Sequence, residues 1–60
     1  MNKIQEMRLK KGFTATQLAA KVGITKTSLS LFETGKRKPG KLSLYKLAKA
    51  LECEPDDLQE

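Results

Sequence analysis

Ala19, Gly23 and Leu29, spaced four and then six residues apart and flanked by Leu18 and Phe32, constrain the fold more tightly than anything else in the chain. Ala19 is small enough for a second helix to cross closely over it. Gly23 can take the positive φ that a sharp turn needs, and Leu29 can pin the second helix onto the first. The segment from Ala15 to Thr34 therefore reads as two helices meeting at a tight turn, a helix-turn-helix.

With 60 residues the chain is expected to form one domain spanning residues 1–60, near the lower limit for folding without disulfides or metal. Helices around a leucine-rich core are the economical solution. A buried substrate cleft is not expected at this size, and no small-molecule ligand is evident. The chain has no histidine and a single cysteine, which removes the usual zinc sites and nucleophile-base pairs. No cofactor, metal or enzymatic activity is therefore expected. Cys53 reads as a small buried hydrophobe between helices, because metal binding or redox sensing needs partners the chain lacks. No stretch approaches the roughly 20 apolar residues of a membrane span. The N-terminal MNKIQEMRLKKG has no apolar signal core, so the expected location is cytoplasmic, with no membrane partner.

The pattern predicts an all-α, compact five-helix bundle. A first helix over residues 2–11 places Ile4, Met7 and Arg8 on one face and stops at Gly12. Thr14 followed by Gln17 is a capping box, so a second helix runs from about Ala15 to Val22 and buries Leu18, Ala19 and Val22. Thr25 caps a third helix that stops at Gly35. GKRKPGK, from Gly35 to Lys41, is a basic loop whose glycines and proline forbid a continuous helix. A fourth helix from about Leu42 to Leu51 carries Leu44, Leu47, Ala48 and Leu51 on one side. Pro55 suits a first helical position and Asp56 and Asp57 suit the positive end of a helix dipole, which predicts a short fifth helix.

Charge is unevenly distributed. All 12 lysines and arginines lie at or before Lys49, whereas Glu52, Glu54, Asp56, Asp57 and Glu60 fall in the last nine residues. A basic body with an acidic element turned away is what attraction to a polyanion favours. A merely solvated surface is the competing reading.

From Met7 to Leu58 the chain resembles the phage repressor and Cro class of helix-turn-helix regulators, also called the xenobiotic response element family. The resemblance rests on Arg8, Gly12, Phe13 and Thr14, on LAAKVGITKTSLSLFETGKRKP from Leu18 to Pro39, and on KLAKAL from Lys46 to Leu51. It implies a lambda repressor-like DNA-binding domain that regulates transcription, with the third helix in the major groove.

The periodicity of the third helix divides it into an inward and an outward face. At about 100° per residue, Leu29 and Phe32 lie within about 60° of each other with Thr25 between them, and these three set the inward face. Thr27, Ser30, Leu31 and Thr34 fall on the opposite face. Leu31 there can contact thymine methyl groups, Thr27 and Ser30 offer hydroxyls to base edges, and Lys26 can donate to guanine. The other reading has Leu31 packing on the neighbouring loop or on another protein. In the resembling family the positions of Lys26, Thr27 and Leu31 are the principal base readers, which favours base contact. Phosphate contacts are expected from the start of the second helix and from the basic loop, through Thr14, Thr16, Thr34, Lys36, Arg37, Lys38 and Lys41. Solubilising loop charge is the bland alternative. Against it, six basic residues and no acid lie between Thr34 and Lys49.

Arg8 and Glu33 match family positions that form an ion pair between the first and third helices, and partial burial is expected. Three positions depart from the family. Ala15 stands where a phosphate-binding glutamine usually begins the second helix, and Glu52 replaces the usual glycine after KLAKAL. Lys41 replaces a leucine two residues after the proline, a role Leu42 takes over only if the loop shifts. The function expected is sequence-specific binding of double-stranded DNA by a transcriptional regulator, as a repressor. A palindromic operator and a homodimer formed through the C-terminal helix around Leu58 go with it. The alternative is a protein-interaction module, such as the antitoxin of a toxin-antitoxin pair, whose acidic tail meets a basic partner.

Overall fold

Asn2 and Lys11 bracket the first helix, α1, over Lys3–Lys10 in the computed structural model, which describes residues 2–59. The sequence pattern runs this helix over 2–11, but both end residues are caps. The Asn2 side chain accepts a hydrogen bond from the Gln5 N–H at 3.1 Å, so it serves an otherwise orphaned donor from outside the helix. Ile4 and Arg8, one turn apart, face inward, and Met7 packs half-buried beside them.

The second helix, α2, spans Ala15–Val22. Its capping box is complete: the Thr14 N–H donates to Gln17 Oε1 at 2.9 Å and the Gln17 N–H to Thr14 Oγ1 at 3.1 Å. Gly23 closes it at φ 85°, with its N–H and that of Ile24 both donating to the Ala19 carbonyl. A side chain at that φ would cost about 1–2 kcal/mol, so Gly23 sets the angle at which the next helix departs. That helix, α3, spans Lys26–Glu33 with Thr25 as its cap. Leu18, Ala19 and Val22 from α2 meet Leu29 and Phe32 from α3 in the core.

Thr25 itself does not belong to the inward face. Its hydroxyl accepts from the Ser28 N–H at 3.0 Å and the residue is exposed, because a cap precedes the helix and its φ and ψ turn the side chain back over the first turn. Glu33 takes the third inward position instead.

The fourth helix, α4, spans Lys41–Ala50, one residue earlier than the pattern suggests, because Gly40 is its cap and Leu51 its terminator. Leu44, Leu47, Ala48 and Leu51 are buried, whereas Leu42 is 66% exposed and does not replace the missing core leucine at Lys41. The first turn of α4 therefore contributes nothing apolar to the interior before Leu44. After α4 the chain turns through Glu52 at φ 56°, the only non-glycine in the left-handed region among the described residues.

The expected fifth helix is a single 3-10 turn over Pro55–Leu58, so four α-helices and a turn replace the five-helix bundle. Gln59 is already extended at ψ 139°, which stops the turn after four residues. Leu58 is 4% exposed in the protomer's own core, packed where the turn meets α1 and α4. Most of its side chain is therefore spent on the protomer's own core and only an edge lines the groove, which leaves little of it for the dimer contact that the sequence suggests. One core unites the elements: α2 packs on α3 and α4, and α1 bridges α3 and the turn. Instead of a buried cleft, an open groove of about 780 Å³ runs beside the end of α3. No helix among the described residues is long and apolar enough to cross a membrane.

Candidate nucleic-acid interface

The outer side of α3 is open at its first two turns and partly covered at Leu31. Lys26, Thr27 and Ser30 are exposed, and Leu31 is half-buried without joining the core cluster. The inward residues Leu29, Phe32 and Glu33 are all buried, so eight residues separate into a structural side and a free side. The Thr27 side chain makes no hydrogen bond to other described residues, which leaves its hydroxyl open to donate or accept.

Three contacts hold α3 against the scaffold at its C-terminal end. The Arg8 guanidinium grips Glu33 bidentately, Nε to Oε2 at 2.6 Å and Nη2 to Oε1 at 3.3 Å. Its Nη1 donates to the Phe13 carbonyl at 2.9 Å, so one arginine joins α1, the turn before α2, and α3. Both residues are 9% exposed, more deeply buried than the partial burial expected from sequence. Breaking such a pair by removing one partner leaves an unpaired buried charge at about 3–5 kcal/mol. The third contact is the Asn2 side-chain amide, which donates to the Phe32 carbonyl in the last turn of α3. Sequence reading missed this role of Asn2. Its identity signals a cap, but nothing local signals a bond across 30 positions of chain.

The basic loop leaves α3 through Thr34 and Gly35. The Arg37 N–H donates to the Leu31 carbonyl at 3.2 Å, which folds Lys36, Arg37 and Lys38 back beside the helix end rather than away from it. These three and Lys41 are exposed. Thr34 is exposed too, but its hydroxyl proton is committed to the Ser30 and Leu31 carbonyls at 3.0 and 3.3 Å, so a phosphate must displace that bond to receive it. Thr14 and Thr16 are exposed at the start of α2. Thr14 accepts through its oxygen and keeps its proton to donate. The N–H groups of Ala15 and Thr16 have no intrahelical acceptor, so this end offers anion-directed donors even without a glutamine at position 15.

Acidic side chains gather elsewhere. Glu33 is neutralised by Arg8, and Glu52, Glu54, Asp56 and Asp57 are exposed in the segment after α4. Cys53 is half-buried against the core, and its thiol titrates above the ordinary value of 9.0, through burial first and the nearby Asp57 carboxylate second. The described residues contain no group of three or more His, Cys, Asp or Glu side chains that could hold a metal ion.

Comparison with known proteins agrees with this architecture. YozG, an uncharacterized HTH-type transcriptional regulator of Bacillus subtilis (strain 168), is 43% identical over 58 residues, covering 95% of this chain and 69% of its own. An uncharacterized HTH-type transcriptional regulator of Archaeoglobus fulgidus is 36% identical over 56 residues, covering 93% of this chain and 80% of the relative. Among solved structures, the restriction-modification controller protein C.AhdI from Aeromonas hydrophila superposes with a TM-score of 0.89 at 32% identity, over 95% of this chain and 86% of that one. SinR, the master regulator for biofilm formation, solved in complex with DNA, gives 0.88 at 29% identity over 95% of both chains. Residues 4–58 match the helix-turn-helix family model. With its fold, its Ala19-Gly23-Leu29 turn and these relatives in agreement, the chain belongs to the Cro/C1-type helix-turn-helix family of DNA-binding transcriptional regulators.

Proposed function

We propose that this protein is a cytoplasmic, sequence-specific repressor that lays α3 in the major groove of double-stranded DNA. The observation that carries the reading is the free side of α3, with Lys26, Thr27 and Ser30 exposed and a cationic loop folded beside it. Lys26, Thr27, Ser30 and Leu31 read base edges: the lysine donates to guanine, the hydroxyls donate or accept, and Leu31 meets thymine methyls. Thr14, Thr16, Lys36, Arg37, Lys38 and Lys41 bind phosphates on either side of α3, with Thr34 joining once its backbone bond opens. Arg8 and Glu33 touch no DNA and position the helix.

Two copies act on a palindromic operator, because a single short helix reads too few base pairs for useful specificity. With Leu58 occupied internally, the exposed apolar side chains Leu42 and Tyr45 on α4 are the surface offered to the second copy. SinR, solved with DNA, supports the duplex as partner. The test is selection of bound sequences from a random duplex pool, followed by titration of the winner at two salt concentrations. A defined half-site repeated with inverted symmetry and a steep negative salt slope are expected. Enrichment of no sequence, or affinity indifferent to salt, removes the reading.

A further inference from the structure

The open groove beside α3 has an apolar floor and a cationic rim. Ile4, Phe32, Leu44 and Leu58 line it from α1, α3, α4 and the 3-10 turn, and the exposed Arg37 and Lys38 border it from the basic loop. Lys41 lies one turn before Leu44 but is exposed, so the first turn of α4 sends no apolar side chain across the opening. Glu33 also lines the groove, but both of its oxygens are held by Arg8. At about 780 Å³ the space falls within the range that small ligands occupy.

We propose that this groove binds a small alkyl carboxylate, its chain on the apolar floor and its head group on Arg37 and Lys38, and that occupancy competes with duplex phosphates for those two side chains. An apolar body with one negative end matches the arrangement, because a buried chain gains from leaving water while the carboxylate stays at the wet, cationic edge. A second copy of the protein suits it poorly. Its exposed apolar side chains on α4, Leu42 and Tyr45, stand among exposed Lys41, Lys46 and Lys49, which would bring like charge to the rim. The competition, unlike the binding itself, rests on the DNA-binding function proposed above.

The test begins without DNA. Isotope-labelled protein is titrated with octanoate and, separately, with 1-octanol, following backbone amide signals. Octanoate is expected to shift Ile4, Phe32, Arg37, Lys38, Leu44 and Leu58 in one saturable process, at least tenfold tighter than the alcohol. The double variant Arg37→Ala, Lys38→Ala is expected to bring octanoate down to the affinity of the alcohol. Both side chains are exposed, so the fold does not depend on them. Gln5→Phe, at a half-buried groove position whose side chain makes no hydrogen bond to described residues, is expected to block both probes. Scattered shifts, equal binding of alcohol and carboxylate, or an unchanged double variant overturn the proposal. Shifts of Ile4, Phe32 and Leu58, away from the α4 surface proposed for the second copy, that grow with protein concentration in the absence of any probe also overturn it, by identifying a second copy as the groove's occupant. Saturating octanoate is then expected to weaken duplex binding at least tenfold at low salt. If octanoate fills the groove and duplex affinity stays unchanged, the competition fails. If no duplex binds even without octanoate, the function proposed above fails, and the groove assignment stands on the first titration.

Discussion

Glu52 sits in a backbone conformation that a residue with a Cβ adopts at a cost of about 1–2 kcal/mol. It does so because the chain reverses there to carry the 3-10 turn back onto α4, with the Cys53 N–H donating to the Ala48 carbonyl at 2.9 Å. Its carboxylate lies 4.0 Å from Lys11 Nζ and is largely solvated, so that ion pair offsets little of the strain. Glu52→Gly is expected to stabilise the protein by about 1 kcal/mol, raising the melting temperature by about 4–8 °C in a scanning calorimeter. Arg8 and Glu33 make the opposite case. Arg8→Ala or Glu33→Ala strands a buried charge and is expected to cost about 3–5 kcal/mol in urea denaturation. Replacing both at once should cost less than the sum of the single losses, which a double-mutant cycle measures. Family resemblance gave this pair from sequence, and Glu52 too was visible as a departure. The third bond of Arg8, to the Phe13 carbonyl, was not, because it depends on how the turn after α1 folds rather than on any side-chain type.

At the level of elements, local chemistry was most informative where the helix ends are written in side chains. The Thr14 and Gln17 box and Thr25 mark the starts of α2 and α3, and both helices begin where that pattern puts them. Where a backbone glycine does the capping, as at Gly40, or where a cap doubles as a clasp, as at Asn2, the boundary moved by one residue. The expected fifth helix failed for a different reason. Pro55, Asp56 and Asp57 are good first-turn residues, but nothing in them says whether a second turn follows, and burial of Leu58 is complete after one. The two-sidedness of α3 yields a prediction of its own. Thr27→Ala and Leu31→Ala are expected to change which duplexes are preferred. Lys38→Ala is expected to weaken all duplexes alike and to reduce the salt slope by about one. Competitive binding across a panel of duplexes separates these outcomes. Uniform loss from all three substitutions would remove the base-reading assignment.

Taken whole, the molecule measures about 23 × 22 × 21 Å between its outermost Cα atoms. On the palindromic operator proposed above, half-site centres would lie about 34–36 Å apart, so one copy would occupy one half-site and a second would be needed for the other. Leu42→Glu together with Tyr45→Glu is expected to abolish cooperative occupation of a palindromic duplex while leaving single half-site binding within a few-fold. Analytical ultracentrifugation of the protein with each duplex reads this directly, and persistence of the two-to-one complex at unchanged concentration would exclude α4 as the contact. Charge distribution was legible in the sequence at this scale because five of the seven acids follow the last lysine. The groove was not, since it arises from four separated segments and from the exposed setting of Lys41.

The clasp that Asn2 and Arg8 make on the far end of α3 bears on how quickly a target is found. If α3 reads DNA as proposed, a helix already fastened at Phe32 and Glu33 would have little ordering to pay for on arrival, so each encounter would be accepted or rejected chiefly by surface match. Search along a genome would then become a sequence of brief rigid contacts, and the time spent at each address would report the bases beneath it rather than any rearrangement of the searcher.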